Sequence, residues 1–234
     1  MNRLDVLNMI IERKNAKTYL EIGVQTGTII SKVKCLHKIG VDPAFLFSTP
    51  LKVKRLLGIT KFKTFECTSD YFFDHHAAQV LKNGIDVALV DGLHTYLQAK
   101  KDVENCLNYL NEGGIIIMHD CNPLNEAAAY TIKEHFNEVR EKVKNWDLPG
   151  WQGQWNGDVW KTVADLIVTR PDLSVFTLDM DYGLGVVSKG TAETDHSFTI
   201  EEIVQGDYTF LEKNRKALLN LKHPKFIKEF IGQV

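Results

Sequence analysis

Two short stretches of this chain place acids and imidazoles at spacings that could do chemistry. Val90-Asp91-Gly92-Leu93-His94 and Met118-His119-Asp120-Cys121-Asn122 each close an apolar run with an acid and a histidine near it. If the two runs are adjacent parallel strands, Asp91 and Asp120 meet at one sheet edge, and carboxylates that close repel unless a proton or a cation lies between them. A hard divalent ion such as Mg²⁺ answers that need, with water and substrate oxygens completing six-coordination. The plainer role for both acids is to cap the helices that follow. His94 sits three residues after Asp91, where a helical pattern begins, and an unperturbed pKa of about 6.5 suits a general base. A sugar hydroxyl is far too weak an acid at neutral pH to react unaided, so a site acting on one must supply a Lewis acid, a base or both. His37, His75, His76, His135, His196 and His223 have no comparable placement and read as structural.

A third stretch points to a ligand. Tyr19-Leu20-Glu21-Ile22-Gly23-Val24-Gln25-Thr26-Gly27 is an apolar strand running into an acid-led glycine turn, with a helical pattern expected behind it. Glycine at 23 and 27 lets backbone approach a ligand closely, and the first turn of a helix offers free N–H groups. A dinucleotide fingerprint would carry glycine where Gln25 stands, and its pyrophosphate would meet the charge of Glu21. About twenty residues on, Val41-Asp42-Pro43 places an acid where it can accept both hydroxyls of a ribose. Ser69-Asp70 offers an adenine contact or an ordinary helix cap before Tyr71–Leu81.

These residues need a scaffold that gathers strand ends. Apolar β-type runs at Thr18–Ile22, Lys38–Val41, Ile85–Val90 and Gly114–Met118 alternate with amphipathic segments, and Lys61–Phe65 adds a short candidate strand. Val103, Leu107 and Leu110 share one helical face, and Ala129, Ile132, Phe136, Val139 and Val143 repeat at steps of three and four. Such alternation predicts a parallel sheet covered by helices on both faces. Leu173–Asp179 and Leu184–Ser188 are separated by a turn too short for a crossover, so they must pair antiparallel as a hairpin. From about Glu193 the chain reads as helical and Lys-rich, a cap or a dimer arm that leaves a homo-oligomer open.

The bulk numbers exclude several classes. A net charge of −2 gives no basic excess for nucleic acid or an anionic membrane. No apolar run approaches the roughly 20 residues of a membrane span. Four cysteines without CxxC pairing and no signal-like N-terminus predict a reducing, cytoplasmic setting.

Taken together, the glycine turn, Asp42, the two acid-ended strands and the terminal hairpin resemble class I S-adenosylmethionine (SAM)-dependent methyltransferases, in particular metal-dependent sugar and small-molecule O-methyltransferases. The resemblance covers Thr18 to Asn122 and implies a Rossmann-like, seven-stranded α/β sheet ending in an antiparallel hairpin. It implies SAM contacts at Glu21, Gly23, Gln25, Gly27, Asp42, Ser69, Asp70 and Asp91. A divalent ion, Mg or Mn, is implied at Asp91 and Asp120, with His119 or Asn122 as third ligand, and His94 as base. The chain departs from the family's patterns at His119 and Cys121. All four tryptophans, Trp146, Trp151, Trp155 and Trp160, lie in one Gly- and Pro-containing window. Aromatic faces pack on sugar rings and glycines let a loop close, so residues 146–161 read as a lid, with Trp151, Trp155, Asp158 and Trp160 toward the acceptor and Lys161 beside them. A buried aromatic anchor is the alternative. The expected organisation is a methyltransferase domain over 1–191 and a helical extension over 192–234. The expected activity is methyl transfer from SAM to a hydroxyl of a sugar or glycoconjugate. Two rivals are a metal-independent methyltransferase of another small molecule, with Asp91 orienting His94, and an inactive binding module.

Overall fold

A computed structural model describes residues 1–133, 135, 137–192 and 198–232. His196 and Phe136, both named above, lie outside the described residues. The chain forms two compact units, one of residues 1–92, 101–117 and 228–234, the other of 93–100 and 118–227.

The first unit opens with helix α1 (Arg3–Lys14), started by an Asn2/Asp5 capping box and burying Val6, Leu7, Ile10 and Ile11. Strands β1 (Thr18–Ile22), β2 (His37–Asp42), β3 (Lys63–Glu66) and β4 (Ile85–Val90) follow, separated by helices α2 (Thr49–Leu56), α3 (Ser69–His75) and α4 (Ala77–Val80). Helix α5 (Tyr96–Tyr109) leads into β5 (Leu110–Met118). β1 pairs in parallel with both β2 and β4, and β2 with β3. With β5 beyond β4, the order is β3-β2-β1-β4-β5. The direction of strand order reverses between β1 and β4, and that reversal is where open α/β sheets bind ligands, beyond the carboxyl ends of the strands. Ile22 and Val90 are paired there, so the Gly23 turn and Asp91 leave the sheet side by side. β4 and the end of β5 are buried almost throughout, as strands covered on both faces must be.

The second unit holds α6 (Glu138–Lys144), α7 (Trp160–Thr169), β6 (Leu173–Leu178), β7 (Leu184–Lys189), α8 (Ile200–Gln205) and α9 (Tyr208–Leu218). It also holds the two-residue β8 (Leu221–Lys222), which leads to α10 (Phe226–Ile231) at the boundary of the units. β6 and β7 form the expected antiparallel hairpin over six residue pairs, and β8 adds to β6 in parallel. Among the described residues that makes eight strands rather than seven, since Leu221-Lys222 is too short to leave a sequence pattern. Among the described residues no helix is long and apolar enough to cross a membrane.

Two expected helices differ. Behind the glycine turn, Thr26–Val33 forms linked turns with a few i→i+4 bonds instead of an α-helix. Thr26, Thr28, Ile29, Ile30 and Val33 are β-branched, and their stiff side chains weaken a helix that has no other support. The periodic run from Ala129 to Val143 is helical only from Glu138; Ala129 closes a turn and Tyr130–Ile132 are irregular.

Candidate active site

In the first unit the turn after β1 is held from both sides. Gly23 N–H donates to Val41 O at 2.9 Å and Asp91 N–H to Ile22 O at 2.9 Å, which stitches the ends of β1, β2 and β4 together. Gly23 has φ +87°, and a Cβ there would lie 1.9 Å from Asp91 O, so the position admits glycine alone. Asp42, at the end of β2, accepts Gln25 N–H on Oδ2 at 2.7 Å and Ala44 N–H on Oδ1 at 2.8 Å. Those bonds fix the loop and hold Gln25 at φ +44°. Each carboxylate oxygen keeps a second lone-pair direction for a ribose hydroxyl.

Glu21 departs from its expected part. It is 2 % exposed, and its carboxyl accepts the Tyr19 hydroxyl at 2.5 Å inside the sheet. Burial pushes its pKa up to about 8; the Tyr19 hydrogen bond opposes that shift and the charge of Asp91 adds to it. The group is therefore a neutral acid at pH 7 and presents no charge at the mouth of the turn. Asp91 is only partly covered and has Arg3 at 3.7 Å. Ser69 is the first residue of α3, whose cap is Thr68, and Asp70 pairs with Lys101 at 2.7 Å.

The second unit assembles the imidazoles. His94 Nε2 lies 3.2 Å from Asp120 Oδ2, and His119 Nδ1 reaches the same oxygen at 2.9 Å. Gln154 and Asn156 both donate to Asp120 Oδ1 at 2.9 Å. Asp120, 1 % exposed, thus has four protein groups around its two oxygens. The other nitrogen of His94 meets Trp155 O at 3.0 Å, and the two rings lie 5.4 Å apart. His94 and Asp120 both hold left-handed backbone, at φ +59° and +62°, a conformation non-glycine residues adopt only when their surroundings impose it. Gly157 packs directly against this backbone: a Cβ there would sit 1.9 Å from His94 O.

The remaining candidates separate. Asn122 is spent on Arg215 and on Asp179 Oδ1 at 3.1 Å, which removes it as a third ligand. His119 is buried, with Asp181 Oδ1 3.8 Å from its Nε2. Of the tryptophan window, Trp151 and Trp155 are half-buried, and the Trp155 indole donates to Tyr130 O at 2.8 Å. Trp160 is 1 % exposed at the start of α7, a core anchor with no face left for an acceptor. Asp158 accepts Tyr96 N–H at 2.7 Å at the start of α5, and Lys161 Nζ donates to Val204 O at 2.7 Å. Those two bonds tie the loop down. Gln154 and Asn156 were not anticipated; two amides between the lid tryptophans were their only signal. Asn156 Oδ1 is fully buried and has no hydrogen-bond partner among the described residues.

Residues 20–121 match a protein-family profile described as a methyltransferase domain. An uncharacterized protein of Acanthamoeba polyphaga mimivirus is 29 % identical over 118 residues, 46 % of this chain and 52 % of that protein. The match thus spans about half the length of that relative. Among solved structures, a provisionally assigned caffeoyl-CoA O-methyltransferase of Staphylococcus aureus aligns with TM-score 0.52 and 21 % identity, covering 80 % of this chain and 82 % of the other. A Bacillus cereus O-methyltransferase in complex with S-adenosylhomocysteine aligns with TM-score 0.50 and 13 % identity, over 79 % and 78 %. The likeness to both structures is one of fold.

Proposed function

We propose that this chain, a class I SAM-dependent methyltransferase, moves the methyl group of SAM to a hydroxyl of a sugar or glycoconjugate, with His94 taking the proton. The observation that carries the proposal is His94 held between Trp155 O and Asp120 Oδ2, at 3.0 and 3.2 Å. The acceptor oxygen attacks the sulfonium methyl carbon, the C–S bond breaks, S-adenosylhomocysteine leaves, and the hydroxyl proton passes to the His94–Asp120 pair and comes to rest on the imidazole. The imidazolium so formed has an acceptor at each N–H. Asp120 therefore stabilises charge that appears only as the proton transfers. Gly23, Gln25, Gly27, Asp42 and Asp91 would hold SAM through backbone and ribose contacts.

The sugar class rests on two features of the loop. The half-buried faces of Trp151 and Trp155 suit the C–H faces of a sugar ring. Asn156 Oδ1, buried without a partner, needs a donor, and a second acceptor hydroxyl supplies one.

A second reading, with a divalent ion, has its own observation. His94 Nε2 and Asp120 Oδ2 face each other directly, so an ion between them would replace a proton. Asp120, His94 and His119 would hold it. That nitrogen-containing set favours Mn²⁺ or another transition ion over Mg²⁺. Bound there, the ion would lower the pKa of the acceptor hydroxyl. Against it, the four protein groups around Asp120 already fill its lone-pair directions, which is why the proton work is placed on His94.

The test is transfer of labelled methyl from SAM to a panel of glycosides, phenols and amines, each with chelator and with added Mn²⁺. Label on glycosides in chelator is the expected result. Label on phenols alone overturns the acceptor class, strict dependence on Mn²⁺ favours the ion, and stoichiometric SAM binding with no transfer to any acceptor makes the chain a binding module.

A further inference from the structure

At the amino-terminal edge of the parallel strands, opposite the edge that carries Gly23 and Asp42, the first unit contains an open cavity of about 950 Å³. Its walls include the first residues of β1, β2 and β3, namely Thr18, His37 and Lys63. Five cations line it, Lys38, Arg55, Lys61, Lys63 and Lys82, and none of its lining residues is an aspartate or glutamate. In a chain of net charge −2, five cations around one cavity form a local concentration that the overall charge conceals. Asp86, near the start of β4, accepts Lys17 N–H at 2.7 Å, Thr18 N–H at 2.9 Å and Asn111 at 2.7 Å and is not among the lining residues.

The cations differ in how they are held. Arg55 stacks on Phe62 at 4.4 Å and bonds Thr64 Oγ1 at 3.3 Å, so its guanidinium is fixed in place. Lys38 is half-buried, with Nζ 3.3 Å from Val33 O, and desolvation lowers its pKa, so an anion that enters relieves a cost already present. Lys61 and Lys82 are exposed and, among the described residues, neither ammonium has an ion pair or hydrogen bond.

We propose that this cavity binds a compact polyanion carrying at least two phosphate groups. Planar Arg55 can take a phosphate bidentately, while Lys61, Lys63 and Lys82 act as mobile point charges around a second phosphate. The cavity is of the size that encloses a small molecule. Phe62 already carries Arg55 on its ring, and the cations that outnumber the aromatic side chains of the lining direct recognition to the phosphates. An extended nucleic acid would need a basic track beyond the cavity, and the chain's overall charge argues against one.

Calorimetry with inorganic pyrophosphate tests this on the full chain, beside Lys61→Ala/Lys82→Ala, with S-adenosylhomocysteine binding as the control on folding. Saturable micromolar pyrophosphate binding that weakens at least tenfold in the double variant, with S-adenosylhomocysteine affinity unchanged, is the expected result. Absence of saturable binding at millimolar pyrophosphate overturns the proposal. Equal binding by the double variant also overturns it. So does tight binding of an RNA or DNA oligonucleotide that pyrophosphate fails to displace, which would make the cavity part of a nucleic-acid surface.

Discussion

His94 Nε2 stands 3.2 Å from Asp120 Oδ2, and both residues hold left-handed backbone at the ends of different strands. Two strained residues meeting through their side chains indicate that the surrounding loops pay for the contact, since each such conformation costs of order 1–3 kcal/mol. From the loop, Gly157 packs closely on His94 O, and the amides of Gln154 and Asn156 donate to Asp120 Oδ1. Replacing the acid while keeping its shape separates charge from geometry. Asp120→Asn should lower turnover by roughly 10²–10³-fold with S-adenosylhomocysteine affinity within about twofold of the parent. Parental turnover in single-turnover transfer would show that His94 needs no counter-charge.

Removing the base itself has a different signature. His94→Ala should cut turnover by about 10²–10⁴-fold with little change in SAM affinity, because the imidazole acts in the transition state alone. Raising the pH should restore part of the loss, as hydroxide can replace a missing base. An unchanged rate across the pH range would return His94 to a structural role at the start of α5.

Asp42 serves the cofactor side. Its two oxygens hold the amides of Gln25 and Ala44, so Asp42→Ala would loosen the turn and also remove a ribose acceptor. A charge-assisted hydrogen bond of about 1.5–3 kcal/mol predicts a ten- to hundredfold loss of SAM affinity by calorimetry. Unimpaired binding would place the ribose elsewhere.

What the sequence disclosed follows from what strand patterns encode. Apolar runs placed β1 and β4 at their observed limits, because a strand buried on both faces is a continuous apolar segment. The short link between β6 and β7 dictated antiparallel pairing. The turn after β1 was legible in position but not in form, since glycine spacing marks a close approach and says nothing of the β-branched residues behind it. The state of Glu21 was hidden for a related reason: a lone acid at the end of an apolar strand looks like a charged site residue, and the burial that keeps it neutral, like the tyrosine two positions earlier that shares its face, appears only in the folded strand. Trp160 and Trp155 carry the same side chain five residues apart, one in the core and one beside His94. Only the start of α7 separates those fates. Gln154 and Asn156 acquire meaning from Asp120, more than thirty residues away along the chain.

Glu21 gives a prediction that needs no substrate. Its carboxyl titrates near 8 in the folded chain against an ordinary value of 4.5, with burial as the leading cause. Below about pH 4.5 it is protonated in both folded and unfolded chains and costs nothing. Between there and about 8 the unfolded chain gives up the proton while the folded chain keeps it, so the unfolded state binds fewer protons and stability falls as pH rises. Above about 8 the folded carboxyl ionises too, and its contribution levels off. The full loss is on the order of 5 kcal/mol, at about 1.4 kcal/mol for each pH unit between the two titration points. Glu21→Gln keeps a partner for Tyr19 and removes the titration, so its Tm should decline less than the parent's between pH 5 and 8.5. Parallel pH profiles of Tm for the two proteins would mean that Glu21 is ionised in the fold, with a counter-charge the hydrogen bond to Tyr19 does not provide.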